Sequence, residues 1–164
     1  MNQLEAQALM RHWDKPRAGD WAEVLATFSL FSGMSERRLR KLVRRARFAE
    51  FARGDVVVRL GESADSLYVI LGGTAEARGK PAPRTLRTGD YFGELALLGG
   101  TRRSATVVAT RELYVMRLPG PSFLWLAKRD PRISLAMLRN LGVQFRWLET
   151  QVGVPSGSSS AATP

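Results

Sequence analysis

A chain of 164 residues with 45% hydrophobic and 24% charged content has the material for one globular domain with appendages and a real core. It has no cysteine and one histidine, His12, which excludes a disulfide framework and a thiolate metal site and leaves almost nothing for a histidine metal cluster or catalytic dyad. A formal charge of +10 invites an anionic partner, without choosing among nucleic acid, acidic lipid and a small phosphate ligand.

The first twenty residues mix charges into every turn, so they do not read as a signal peptide, and no run reaches membrane-spanning length. A cytoplasmic chain without a transmembrane segment is expected. Leu4, Ala8, Leu9 and Trp13 fall at helical spacing, and Pro16 with Gly19 ends that pattern. Asp20 is then expected to cap a second helix, Trp21 to about Phe28, with Trp21, Val24, Leu25 and Phe28 on one face. Ser35 suits the N-cap of a third helix whose buried stripe is Leu39, Leu42, Val43 and Ala46. Its other face carries Arg37, Arg38, Arg40, Lys41, Arg44, Arg45 and Arg47, expected in solvent.

From Phe48 the pattern changes to short apolar runs broken by glycine, as in antiparallel β architecture. Strands are expected at 48–51, 56–60, 66–71, 74–77, 85–86, 104–109 and 113–118. Gly54-Asp55, Gly61-Glu62, Gly72-Gly73, Gly79 with Pro81 and Pro83, and Gly89-Asp90 supply the turns. After Pro119-Gly120-Pro121 the helical period returns: Ser122 is expected to cap a short helix to Lys128, and Asp130-Pro131 to open a long one to about Val152. In that last helix Leu138, Leu141, Phe145, Leu148 and Val152 form a coiled-coil-like seam, with Ile133, Met137 and Trp147 off it. Gly142 is a place for a bend. Residues 153–164, rich in Gly and Ser, are expected to be a disordered tail.

The stretch Phe92–Val107, FGELALLGGTRRSATV, concentrates the chemistry. Gly93 allows close backbone approach, and Glu94-Leu95-Ala96-Leu97-Leu98 reads as one helical turn with free N–H groups at its start. Arg103 can meet two phosphate oxygens at once, and Glu94, which repels phosphate, suits a sugar hydroxyl. A ligand with both phosphate and ribose satisfies the set. The competing readings are a structural ion pair for Arg103 and a helix-dipole charge for Glu94; both leave Gly93 and the spacing to Arg103 unexplained.

These residues give the chain a family resemblance. Phe92-Gly93-Glu94, a short helix and Arg103-Ser104-Ala105-Thr106 resemble the phosphate-binding cassette of cyclic nucleotide-binding domains, as found in bacterial cAMP receptors, cyclic-nucleotide-dependent kinases and cyclic-nucleotide-gated channels. GESADSLYVILGGTAEA, Gly61 to Ala77, resembles the family's glycine-acid turn and strand pair, and Leu86 with Gly89-Asp90 its lead into the cassette. The match spans about Leu30 to Val152. Arg102 stands where many members have proline, and is expected to face solvent beside Arg103.

The resemblance implies an α+β fold: an antiparallel, jelly-roll-like β-roll at about 48–119, N-terminal helices over 1–30, and a C-terminal helical lid at about 121–152 closing a domain of 31–152. It implies that Arg103 pairs with a cyclic phosphate and Glu94 with the ribose 2′-hydroxyl. Backbone N–H groups near Gly93 and Ala105, with the Ser104 hydroxyl, complete the cradle. Phe92, Leu95, Ala96 and Thr106 belong to the same ligand-binding set. Phe145, Arg146 and Trp147 are candidates to cap the base, with core packing or a dimer seam as the alternative. The Arg103-Ser104 pair matches bacterial cAMP receptors, so cAMP is favoured over cGMP. A hydroxyl at Ser104 can also serve the 2-amino group of a syn guanine, which keeps cGMP open.

The expected function is a non-enzymatic sensor with no catalytic residue, metal or cofactor besides its nucleotide ligand, signalling through its last helix to an unidentified effector protein. A homodimer through that helix is a further partner the seam allows. Two rivals remain: a ligand-free interaction module, and a sequence-blind nucleic-acid-binding regulator using the basic helix 35–47, for which no helix-turn-helix follows the lid.

Overall fold

Alternation decides the architecture. In the strand Ser66–Gly72 every residue is buried, because both of its faces are covered. Leu67, Val69 and Leu71 enter a core shared with the helices, while Tyr68 and Ile70, one position out of phase, enter a second core inside the roll. The structure, a computed structural model, describes residues 18–79, 82–99 and 102–152. The expected first helix at 4–13, His12 and the tail 153–164 lie outside the described residues.

The described elements run α1 (Ala18–Ala26), a 3-10 turn (Ser29–Phe31), α2 (Glu36–Val43), β1 (Arg47–Phe51), β2 (Val56–Val58), β3 (Ser66–Gly72), β4 (Thr74–Arg78), β5 (Arg84–Arg87), β6 (Tyr91–Phe92), α3 (Glu94–Leu98), β7 (Thr106–Ala109), β8 (Leu113–Pro119), α4 (Gly120–Arg129) and α5 (Pro131–Val152). The strands form two four-stranded antiparallel sheets, ordered β1-β8-β3-β6 and β2-β7-β4-β5. This is the jelly-roll-like β-roll with flanking helices that the sequence implies.

The first sheet carries the helices on its outer face. Trp21, Leu25, Phe31, Leu39 and Phe123, all under 2% exposed, pack there with Met116 and Leu118. Burying a side chain of this size contributes roughly 1.5–3 kcal/mol, so the N-terminal helices stabilise the roll rather than hang from it. Gly73 turns β3 into β4 at φ 86°, where a side-chain carbon would run into the Glu112 carbonyl.

Several expectations shift. α1 begins at Ala18, so Asp20 lies within its first turn instead of capping it. Ser35 occupies the N-cap position of α2, but its side chain makes no capping hydrogen bond. Among the described residues there are eight strands where seven are expected: Tyr91–Phe92 pairs with β3, and 104–105 lie outside β7. α4 starts at Gly120 behind an N-cap at Pro119, placing Ser122 inside the helix; Pro121 near the start donates nothing that the helix needs.

α5 runs unbroken through Gly142. Its buried face is the one carrying Ile133 and Met137, at 0% and 4% exposure, whereas Leu138 and Phe145 of the expected seam are 64% and 62% exposed. Asp130, 1% exposed, holds the α4–α5 joint: Arg132 Nε donates to it at 2.8 Å and Arg38 Nη1 at 2.8 Å, tying the joint to α2. Among the described residues no helix is long and apolar enough to cross a membrane.

Candidate functional site

Between β6 and α3 the chain turns at Gly93, whose φ of 91° needs glycine. α3 follows for one turn and ends at Gly99. Arg103 then returns beside Gly93 because its backbone is pinned to the Gly61–Glu62 turn: Gly61 N–H donates to the Arg103 carbonyl at 2.9 Å, and Arg103 N–H donates to that of Glu62 at 2.8 Å. Arg102 is exposed, as expected, and donates to the Gly61 carbonyl at 2.8 Å.

Arg103 itself is 4% exposed. Its guanidinium donates to the Gly93 carbonyl at 3.4 Å, sits 3.7 Å from the Asp65 carboxylate and lies 5.4 Å from the centre of the Tyr68 ring. Tyr68 in turn stacks on Phe92 at 5.0 Å. Asp65 is 64% exposed and shared with Arg117, so it neutralises Arg103 only weakly. The structural ion pair considered for Arg103 is thus long and wet on one side, and a nearly buried cation retains donors for an anion.

Glu94, 3% exposed, opens α3. Burial pushes its carboxyl above the ordinary carboxylate value; its own backbone N–H, the Gln144 side chain, Arg84 and Arg103 pull the other way. Gln144 Nε2 donates to Glu94 Oε1 at 3.4 Å, reaching across from α5. One turn earlier on α5, Asn140 faces the Tyr91 hydroxyl, which burial pushes up to about 12.

These groups surround a cavity of about 200 Å3. Phe92, Gly93, Glu94, Leu95, Ala96, Arg103, Ser104 and Ala105 line it. Thr106 does not: its hydroxyl accepts from the Leu60 N–H at 3.0 Å, in the turn that follows β2. Of the three lid candidates Trp147 lines the cavity, while Phe145 and Arg146 are exposed and stand outside it. Residues one helical turn apart share a face, so Gln144 and Leu148 join Trp147 there. Arg84, from β5, is the second cation on the wall. Sequence reading missed Arg84 and Gln144; the only signal for Gln144 was its place three residues before Trp147.

Two arginines and one buried carboxylate around a cavity of this size suit a small anion that also carries hydroxyl donors.

Comparison with known proteins bears on the family and the fold. The family model described as cyclic nucleotide-binding domain matches residues 48–130, about half of the chain. A cyclic nucleotide-gated potassium channel of Rhizobium etli is 30% identical over 132 residues, covering 80% of this chain and 35% of that protein. The regulatory domain of Toxoplasma gondii PKA, solved with cAMP, superposes with a TM-score of 0.68 at 28% identity, covering 77% of this chain and 50% of that one. A PKA regulatory-subunit domain, CBD2, bound to Sp-2Cl-cAMPS superposes with a TM-score of 0.72 at 24% identity, over 85% of this chain and 94% of that one, and speaks for the fold alone. The chain spans about a third of the length of the curated relatives it matches. With the cassette, the roll and the family match in agreement, the chain belongs to the cyclic nucleotide-binding domain family.

Proposed function

We propose that the cavity at α3 binds a cyclic nucleotide, cAMP ahead of cGMP, and that the domain acts as a non-catalytic sensor reporting through α5 to a separate effector protein. The observation that carries this reading is the pairing of two nearly buried, opposite charges, Arg103 and Glu94, on one wall beside Gly93. Arg103 would take the cyclic phosphate in a bidentate, charge-assisted contact, with N–H groups near Gly93 and Ala105 and the Ser104 hydroxyl around it. Glu94 would accept from the ribose 2′-hydroxyl, a neutral donor that a buried carboxylate can keep without a second charge. Phe92, Leu95 and Ala96 shape the wall, and Thr106 supports it through Leu60. Trp147, on the cavity wall, would cover the base.

The preference for cAMP rests on the Arg103-Ser104 pair and on the Toxoplasma relative solved with cAMP. Residues 31–152 would form the binding unit, with the described helical residues 18–30 beside it, in a cytoplasmic setting that suits a chain without cysteine.

Gln144 donates to the same carboxylate that the ribose would use. The ribose and the Gln144 side chain therefore compete for Glu94, and ligand binding biases the position of α5 by as much as its two positions differ in affinity for the ligand, a coupling of about 1–3 kcal/mol in working switches. A second copy is a further partner for α5. Leu138 and Phe145 are exposed but Leu148 lines the cavity, so a continuous seam for a homodimer forms only when α5 leaves it.

Tryptophan emission tests the reading. Titration with cAMP is expected to change it at lower concentration than cGMP, and the change to vanish in Trp147→Phe. No response to either nucleotide, or one that persists in Trp147→Phe, contradicts the proposed lid contact.

A further inference from the structure

On the far side of the helices a second cleft, of about 290 Å3, lies between α2 and α4. Arg38, Lys41 and Arg45, one face of the α2 region, and Arg129 of α4 stand around it, above a floor of Leu42 and Leu126. The acid on this wall, Asp130, is already committed to Arg132 and Arg38. Trp125, 48% exposed, has the Arg129 guanidinium 4.8 Å and the Arg45 guanidinium 5.7 Å from its ring centre. Such cation–π contacts hold the arginine heads in place and occupy the ring, so Trp125 serves to aim cations and not to stack a base.

We propose that this cleft docks an acidic segment of a partner protein, its carboxylates meeting Arg45, Arg129 and Lys41 and an apolar side chain resting on Leu42 and Leu126. Charge complementarity and shape carry the choice. The cations converge on a concavity with room for one or two side chains, whereas a nucleic-acid backbone or a bilayer surface calls for charges spread along a ridge or a plane. Arg37 and Arg47, which could extend such a plane, lie outside the cleft. Asp130 demonstrates the recognition from within, since its carboxylate holds Arg38 at 2.8 Å on the cleft wall. Asp130 also joins α4 to α5, so a partner carboxylate that reaches Arg38 competes with it at the root of the proposed lid. The docking site itself stands whether or not the other cavity binds a nucleotide.

The probe is a short fluorescent glutamate-rich peptide with one leucine, followed by anisotropy at an ionic strength of about 0.15 M, where exposed charges are well screened. Wild-type protein is expected to bind it. Arg45→Gln with Arg129→Gln is expected to weaken binding at least about tenfold, and Trp125→Ala to weaken it as well. Arg37→Gln with Arg47→Gln removes the same charge outside the cleft and should leave binding unchanged. Circular dichroism and urea unfolding establish that each variant folds. Absence of peptide binding, equal loss in the two double variants, or cleft-dependent binding of duplex DNA or phosphatidylserine vesicles tighter than that of the peptide overturns the proposal.

Discussion

Arg103 lies against Gly93: its guanidinium donates to the Gly93 carbonyl at 3.4 Å and fills the space that a side-chain carbon on Gly93 would take. Backbone conformation and ligand chemistry are therefore joined at a single position. Gly93→Ala meets two penalties, a left-handed φ of 91° costing about 1–2 kcal/mol and displacement of the buried arginine. Urea unfolding is expected to show at least that loss, together with weakened cAMP binding; unchanged stability contradicts the packing described.

Glu94 provides a pH test. Its carboxyl titrates higher in the folded chain than the ordinary value of 4.5, mainly through burial. The folded state therefore holds the extra proton between these two values, and stability falls as pH rises through that window, then levels off. Glu94→Gln removes this decline. By urea unfolding as a function of pH, the variant is expected to be at least as stable as wild type at pH 7, while calorimetry shows weaker cAMP binding. A decline of the same size in the variant would assign it to another group.

Gln144 links the final helix to the site through its hydrogen bond to Glu94. Gln144→Ala is expected to lower stability by about 1 kcal/mol, the net value of such a bond, and to tighten cAMP binding by removing a competitor. Weaker cAMP binding in this variant would show that Gln144 assists the ligand instead.

Asp130 is held below the ordinary carboxylate range, first by hydrogen bonding from Arg132 and further by Arg38, against the cost of burial. A depressed carboxylate contributes stability above its unfolded value that is lost as pH falls through the folded one. Asp130→Ala is expected to cost about 1–3 kcal/mol at pH 7, discounted because both arginines are half exposed. The difference from wild type should shrink below about pH 4; a constant difference down to low pH contradicts an ionic origin.

Local signals made much of this legible. Gly93 and Gly61 occupy the positive-φ positions on which the cassette and the turn holding Arg103 depend, and the apolar stripes of α1 and α2 are buried as their spacing indicates. β6 escaped notice because two residues, Tyr91–Phe92, carry too little alternation to announce a strand. Which of the two apolar faces of α5 turns inward was not legible for a different reason. Leu138 and Phe145 make the better seam on paper, yet Ile133 and Met137 meet the helical core, and only the tertiary arrangement chooses between two apolar faces of one helix. Arg84 reaches the cavity from β5, ten residues before Glu94, and no spacing rule connects a strand residue to that carboxylate.

The central claim is that Arg103 receives the phosphate of a cyclic nucleotide, and calorimetric titration of wild-type protein and Arg103→Ala with cAMP tests it most directly. Wild type is expected to bind, and the variant to lose about 2–4 kcal/mol, because the desolvated phosphate is left without its charged partner. Equal affinity in the two proteins, or no binding by a folded wild type, would contradict it.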